Sequence, residues 1–422
     1  MPRFSPMNWF RTPKGRWLLW GLLVVVIGAL FYRFMIHDGD FDVYWASTFR
    51  FIHGLKIHVY EQNVFTYPTF ASFLLLPLYP LGYSAGKIIF FILNVVLLIS
   101  AIAVCQRRIV GNSSVKTAAL VVALFFSFRS ILDVFNNQQT DIIIFALVSF
   151  GIALFARFPV IGTSVMALAA GLKANPLFMI LMPVFKRRWT AVAVFLVLTV
   201  GFVLMPDLSK YAFTDSWTDS EFIVPGSVMP KRGEIRQGQF TAEARDPGLW
   251  SYLKEHYHMT LSASPGEVRW WQDRGSAGNQ SLYRILATHL GKAVPSNFVL
   301  IGLCALFGLL LMLATRIRGD SVFVLGVLFY TAFVLIGPQS SKAHFIAFFG
   351  LLLYSWHDAL EKNSWVKSAI LLVFSVFLGV KAAAYALPSG WISRDIVGLS
   401  AVGLWLYSYC LFLISGHQKN RS

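Results

Sequence analysis

The sequence predicts an all-α polytopic membrane protein, and its composition and hydropathy pattern indicate this together. Of the 422 residues, 56% are hydrophobic and 13% are charged, against about 25% charged residues in a typical soluble domain. So few polar residues cannot cover a soluble globule of this size. The apolar residues form runs long enough to cross about 30 Å of hydrocarbon as helices. The protein is therefore expected to have lipid as its main solvent.

The net charge of +16 fits the same class, because the basic residues stand in short clusters between the apolar runs. Such clusters orient membrane helices with their positive loops in the cytoplasm, so we interpret them as topology signals and expect no nucleic-acid partner. The three cysteines lie within or at the edge of apolar runs and form no CxxC pair. We therefore expect no disulfide and no zinc site built from cysteines. No other metal site is expected, and the protein is expected to be a monomer in the bilayer.

The first apolar run, residues 17–35, follows several basic residues and is predicted to be the first membrane helix, with a cytoplasmic N-terminus. The apolar runs predict about twelve crossings in all. The others are residues 86–104, 115–132, 140–156, 159–172, 175–185, 190–206, 296–316, 321–337, 343–357, 365–384 and 395–415. If residues 70–81 also crossed, Arg107 and Arg108 would lie on the outer side. We therefore expect that segment to lie flat at the outer interface.

These spans divide the chain into three regions. Residues 1–206 are predicted to form an N-terminal transmembrane module, which contains a first outer loop at residues 37–85. Residues 207–295 are rich in Trp, Gly and Pro, and their aromatic content is unlike that of a disordered linker. We expect them to form a loop domain at the outer face. Residues 296–422 are predicted to form a C-terminal transmembrane module.

Three carboxylates stand directly after the first predicted span, at Asp38, Asp40 and Asp42. Acidic residues contribute little to membrane orientation, so their clustering indicates a general base, a metal ligand or a group that binds sugar hydroxyls. A solvated loop with a helix cap is the alternative, because Asp and Gly are common turn residues.

Six short motifs follow one another along nearly the whole chain. Two lie in the first outer loop, Asp40-Phe-Asp-Val-Tyr44 and Tyr67-Pro-Thr-Phe-Ala71. The others are Asn137-Gln-Gln-Thr140, Gly171-Leu-Lys-Ala-Asn-Pro176, Gly278-Asn-Gln-Ser-Leu282 and Ser340-Ser-Lys-Ala-His-Phe345. In this order they resemble glycosyltransferase family 87, with Thr69 in place of a family proline. That family comprises membrane enzymes similar to mannosyltransferases, which use polyprenyl-phosphate sugars as donors.

The resemblance implies a GT-C-type bundle of about twelve transmembrane helices with an outer-face loop domain. It also implies a multi-pass protein of the cell membrane that transfers a mannose-like hexose from a polyprenyl-phosphate-sugar donor, with inversion, to a glycan or glycolipid. The reaction would take place at the outer face. The donor would be a co-substrate, and no cofactor is expected.

The same resemblance implies roles for individual residues. Asp40 aligns with the family's catalytic aspartate and is expected to be the general base. The expected ligands of the donor phosphate are Lys173, His344, Arg129 and Lys342. Further substrate contacts are expected from Asp42, Tyr44, Tyr67, Asn137, Gln138, Asn279 and Gln280. Asp42 is the rival base, since it would share a face with Asp40 in a strand and point elsewhere in a helix.

The residues themselves support this chemistry, because sugar transfer from a lipid phosphate needs a base for the acceptor and cations for the leaving phosphate. In the predicted topology both kinds of group lie near the outer face. Lys173 lies in the outer turn of a short predicted helix pair, residues 159–172 and 175–185, where an ammonium is costly unless an anion or a polar cavity meets it. Its alternative role is to snorkel to the interface.

Two other functions are consistent with part of the pattern. Twelve helices are also typical of a transporter or flippase for a lipid-linked or small polar solute. Transporters often have two similar halves and a site near the midplane, whereas here the polar residues cluster towards one edge. The second is an assembly scaffold without catalysis, for which replacement of Asp40 would leave activity in cells intact.

Overall fold

The computed structural model describes residues 13–37, 39–52, 67–213, 280–290, 296–337, 340–380, 383 and 391–419. Within these residues the chain is helical and contains no strand. The α-helices are α1 (Pro13–Ile36), α2 (Asp40–Ile52), α3 (Tyr83–Ile109), α4 (Lys116–Asn137), α5 (Asp141–Phe155), α6 (Pro159–Leu172), α7 (Leu181–Phe185), α8 (Trp189–Phe213), α9 (Leu282–His289), α10 (Ser296–Arg318), α11 (Val322–Ile336), α12 (Phe349–Glu361), α13 (Trp365–Gly379) and α14 (Trp391–Lys419). Short 3₁₀ helices cover Thr69–Leu75, Tyr79–Leu81, Asn175–Ile180 and Lys342–Phe348.

Five of the described helices are long and apolar enough to cross a membrane. They are Tyr83–Ile109, Lys116–Asn137, Trp189–Pro206, Phe298–Arg318 and Asp395–Ser415. The remaining predicted spans coincide with shorter apolar helices or 3₁₀ segments. The all-α membrane fold is thus confirmed, while the count of twelve crossings stays a prediction. Residues 70–81 form two 3₁₀ turns and no spanning helix, because Pro77 and Pro80 interrupt regular helical hydrogen bonding.

Two short helices, α5 and α11, lie at the centre of the bundle. Both are buried on most of their surface, and α5 packs against α3, α6 and α11. The longer helices α3, α8 and α10 instead expose large apolar side chains, including Ile92, Val197 and Ile301. Lipid is the environment in which such exposed apolar surface is stable. The central helices therefore form the interior of the protein, and the outer helices separate this interior from the bilayer.

The helices α5 and α6 form a tight antiparallel hairpin. A Cβ atom at Gly162 would lie 2.5 Å from the carbonyl oxygen of Gly151, so only glycine permits this approach. The start of α5 and the end of α6 consequently lie side by side at one end of the bundle. This end of the hairpin holds the polar residues described below.

The predicted loop domain at residues 207–295 is described only at its two ends. Helix α8 continues beyond the predicted end of its span to Phe213, with Pro206 inside it. At the other end, α9 packs against α10 and α14. Residues 214–279 lie outside the described residues, and the domain itself stays a prediction.

Candidate active site

Asp40 begins helix α2, directly after the short turn that follows α1. Its carboxylate oxygen Oδ2 accepts a hydrogen bond of 3.0 Å from the hydroxyl of Tyr67. Tyr67 precedes the first 3₁₀ helix and is buried, and the edge of its ring meets the ring of Tyr44, with the centroids 4.9 Å apart. The two motifs of the first outer loop therefore form one contact, although 27 residues separate the aspartate from the tyrosine.

A buried ion pair lies near the ring of Tyr67. The ammonium of Lys173 donates to both carboxylate oxygens of Asp141, at 2.9 Å and 2.8 Å. The side chains of Lys173 and Asp141 are only 10% and 4% exposed. Asp141 stands at the start of α5 and Lys173 directly follows the end of α6, so each charge complements the dipole of its own helix. The hairpin geometry brings the two residues together.

His344 is the third member of this buried group. Its Nδ1 accepts a hydrogen bond of 3.1 Å from the backbone N–H of Ser341, so the neutral ring carries its proton on Nε2. That Nε2 lies 3.6 Å from Oδ1 of Asp141, which is too long for a good hydrogen bond but close for an electrostatic contact. One carboxylate thus faces both the lysine and the histidine.

Tyr67 connects this charged group to Asp40. The ammonium of Lys173 lies 5.5 Å from the centroid of the Tyr67 ring, within the range of a cation–π contact, while the hydroxyl of the same tyrosine binds Asp40. Burial, followed by the negative charge of Asp40, raises the pKa of Tyr67 well above its ordinary value. The hydroxyl therefore stays protonated at neutral pH and remains a hydrogen-bond donor to the carboxylate.

Tyr44, the next predicted residue, is completely buried beneath Tyr67. Its hydroxyl lies 3.5 Å from Oγ1 of Thr140, the residue before Asp141. The structure therefore brings Asp40, Tyr44, Tyr67, Lys173 and His344 into one cluster. All five are residues that the sequence assigned to the site.

Asp42 and Gln138 lie elsewhere. Asp42 is fully buried, and its Oδ1 accepts a hydrogen bond from the hydroxyl of Tyr83, on the side of α2 away from Tyr67. Gln138 has a left-handed backbone (φ 56°) at the end of α4. Its side-chain amide donates to the carbonyls of Phe34 and His37 at the end of α1, at 2.8 Å and 2.6 Å. In this structure Gln138 binds the protein's own backbone.

The remaining predicted residues are spread around the cluster. Asn137 is exposed at the end of α4, and Arg129 lies two turns earlier in the same helix, which is about 12 Å along its axis. Lys342 begins the 3₁₀ helix that contains His344. Gln280 is buried and accepts a hydrogen bond of 3.1 Å from the N–H of Gly398 in α14. Asn279 and Asp38 lie outside the described residues.

Sequence reasoning missed two buried charged residues, Asp141 and Lys87. Asp141 stands one residue after the Asn137-Gln-Gln-Thr140 motif and was counted as part of an apolar span. Lys87 lies in the first turns of α3 and is fully buried. The signal was present in both cases, because an ionisable residue inside a predicted span indicates a functional site by default.

Residues 65–229 match glycosyltransferase family 87. The match confirms the family that the motifs resemble and implies a membrane glycosyltransferase. Neither the curated proteins nor the solved structures give a match.

The family match contains half of the cluster. Tyr67, Asp141 and Lys173 lie within it, whereas Asp40, Tyr44 and His344 lie outside its bounds. The contacts of Asp40 with Tyr67 and of His344 with Asp141 connect both residues to the matched region. Among the described residues, no group of three or more His, Cys, Asp or Glu side chains is arranged to hold a metal ion.

Proposed function

We propose that this membrane glycosyltransferase transfers a mannose-like hexose from a polyprenyl-phosphate-sugar donor to a glycan or glycolipid at the outer face of the cell membrane. The observation that carries the proposal is that Tyr67 contacts both Asp40 and Lys173. A candidate base and a candidate cation thereby both contact one tyrosine. An inverting transfer needs a base for the acceptor and a cation for the leaving phosphate at one site, because the two groups act on the same anomeric carbon.

Asp40 is the proposed general base. It would take the proton of the acceptor hydroxyl while that oxygen bonds to the anomeric carbon and the bond from this carbon to the phosphate oxygen breaks. Tyr67 donates to Oδ2 and so restricts the orientation of the carboxylate that would accept this proton. The high pKa of Tyr67 supports this role, since an ionised tyrosine would repel the carboxylate.

Lys173 is the proposed ligand of the donor phosphate. An ammonium has three N–H donors, and Asp141 accepts two of them in this structure. The third could bind a phosphate oxygen as negative charge develops on the leaving group. Asp141 would hold the ammonium in position, and the Nε2 of His344 faces the same carboxylate from another segment.

The donor's isoprenoid chain is proposed to lie against the helices around Lys173. The segment that follows this lysine is apolar and includes Leu177, which is 40% exposed and would face lipid. Such a surface suits an isoprenoid chain, because burial of each CH₂ group contributes about 0.8 kcal/mol. The sugar would then project from the phosphate towards Asp40.

The test is sugar transfer by the purified protein. A panel of synthetic polyprenyl-phosphate hexoses would be offered together with a lipid extract of the host, and wild type would be compared with Asp40→Asn at equal folded amount. We expect transfer by the wild type and loss of transfer in Asp40→Asn. Equal activity of both proteins would refute Asp40 as the base. If no donor supported transfer by the wild type, the transporter alternative would replace this proposal.

A further inference from the structure

We propose that Lys87 and Tyr83 are positioning residues for Asp40, acting through Asp42 and the backbone of the turn between α1 and α2. This inference rests on the proposed role of Asp40 as base. It assigns a function to the buried charged residues on the side of α2 away from Tyr67. None of them is proposed to touch either substrate.

The first observation is the burial of Lys87. Its side chain is fully buried, and burial of an ammonium is costly unless it gains specific partners. Its Nζ donates to the carbonyl of His37 at 2.9 Å, directly after the last residue of α1. A cation at this place also complements the negative end of the helix dipole. The lysine therefore fixes the end of α1 from the side of α3.

A second donor reaches the same carbonyl from another helix. The amide of Gln138, at the end of α4, donates to the His37 oxygen at 2.6 Å. Gly39 also packs tightly here, because a Cβ atom on it would lie 2.7 Å from the Gln138 side chain. Two helices thus hold a single carbonyl, three residues before Asp40. A displacement of this turn would therefore break contacts with both α3 and α4.

Tyr83 extends this network to the start of α2. Its hydroxyl lies 3.4 Å from Nζ of Lys87 and donates to Oδ1 of Asp42. The other oxygen of Asp42 accepts a hydrogen bond of 3.3 Å from the N–H of Gly39. The turn is consequently bonded on both sides of Asp40, at His37 and at Asp42. Asp40 itself stays directed at Tyr67.

Helical geometry explains why Asp40 can face the substrate while Asp42 binds other residues of the protein. Asp40 and Asp42 both belong to α2, and side chains two positions apart in a helix are separated by about 200° around its axis. Asp40 therefore meets Tyr67, while Asp42 meets Tyr83. The network therefore contacts α2 on the side opposite Asp40.

The proposal predicts a specific kinetic pattern. Without the network, Asp40 would sample orientations in which its oxygen no longer reaches the acceptor hydroxyl. A displacement of about 1 Å at a reacting group can cost up to 100-fold in rate. The donor phosphate would still meet Lys173. We therefore expect kcat to fall while the donor KM stays unchanged.

The sharpest variant is Tyr83→Phe, which keeps the ring that packs against Phe41 and Trp45 and removes only the hydroxyl. The matched control is Tyr79→Phe, whose ring also packs against Trp45. We expect roughly tenfold lower kcat for Tyr83→Phe at unchanged donor KM, compared at equal folded amount because the loss of a donor to the buried Asp42 also lowers the melting temperature. The control should retain the wild-type kcat.

Two further variants separate positioning from general stability. Because Tyr83 would act through Asp42, the effects of Tyr83→Phe and Asp42→Asn on kcat should not add in the double variant. Lys87→Met should lower kcat as Tyr83→Phe does, and Lys87→Arg should restore part of it. If Lys87→Met does not fold, the Tyr83 and Asp42 variants still test the proposal.

The outcomes of this inference differ from those of the proposed function. If Asp40→Asn is inactive and Tyr83→Phe keeps the wild-type kcat, the positioning role is wrong while the proposed function stands. Additive losses, or a rise in donor KM with unchanged kcat, would also overturn it. If Asp40→Asn retains full transfer, the base assignment fails first and the positioning role fails with it.

Discussion

Replacement of Asp141 by asparagine tests how the buried ion pair holds the site. The substitution keeps the shape of the side chain and removes its charge, so the ammonium of Lys173 loses its counter-charge inside the protein. The two side chains are 10% and 4% exposed, which leaves little room for screening by water. Breaking a buried pair in this way costs about 3–5 kcal/mol of stability. We expect Asp141→Asn to lose about that amount.

We also expect transfer to fall in Asp141→Asn by roughly 10- to 100-fold, because the ammonium and His344 lose the carboxylate that orients them. Thermal unfolding and initial transfer rates would be measured on the same detergent-purified preparations. The double variant Asp141→Asn with Lys173→Met removes both charges. It should regain part of the stability, since no unpaired charge then remains buried, but it should not regain activity.

The matched control is Asp358→Asn in α12. Asp358 pairs with Lys362 and Lys367, whose side chains are 42% and 30% exposed. Pairs with such exposed partners contribute about 0–1 kcal/mol, so we expect a small change in stability and normal transfer. Wild-type stability and wild-type transfer in Asp141→Asn would refute the idea that Asp141 holds Lys173. If the control lost as much stability as Asp141→Asn, burial of the ion pair would not be what sets the size of the stability loss.

Three further predictions concern the cluster and its support. Tyr67→Phe should lower kcat about tenfold, because a hydrogen bond to a charged group contributes about 1.5–3 kcal/mol. The hydroxyl of Tyr67 favours the charged form of Asp40, so its removal should raise the pKa of Asp40 and move the acid limb of the pH–rate profile to higher pH. An unchanged acid limb would argue against contact between Tyr67 and Asp40 in solution. His344→Gln should weaken donor binding, read as a higher donor KM, with less effect on kcat at saturation. Gly162→Leu should prevent close packing against Gly151 and lower the melting temperature, and unchanged melting would contradict this helix contact.

The sequence predicted the fold class and much of the cluster for identifiable reasons. Apolar runs specify membrane helices directly, because the bilayer requires them. Short motifs identified Asp40, Tyr67, Lys173 and His344, which the structure brings together through Tyr67 and Asp141. Their catalytic roles stay predictions.

The features that the sequence did not predict depend on local backbone geometry and on the partners of buried charged side chains. The position of Gln138 follows from its left-handed backbone, which turns its amide towards α1. Asp42 and Asp40 could be separated only once α2 was known to be a helix. Asp141 and Lys87 lie inside segments that read as apolar helices, so averaging hydropathy over a span concealed them.

The shortness of α5 has a consequence for the depth at which the reaction would occur. Its 15 residues span about 22 Å, against about 30 Å of hydrocarbon. A hairpin of this length that starts at one membrane surface ends about 8 Å below the other. The Asp141–Lys173 end would then lie beneath the headgroups, and a lipid-linked sugar would be drawn down into a recess poor in bulk water. Such a recess would protect the activated donor from hydrolysis until an acceptor hydroxyl arrives.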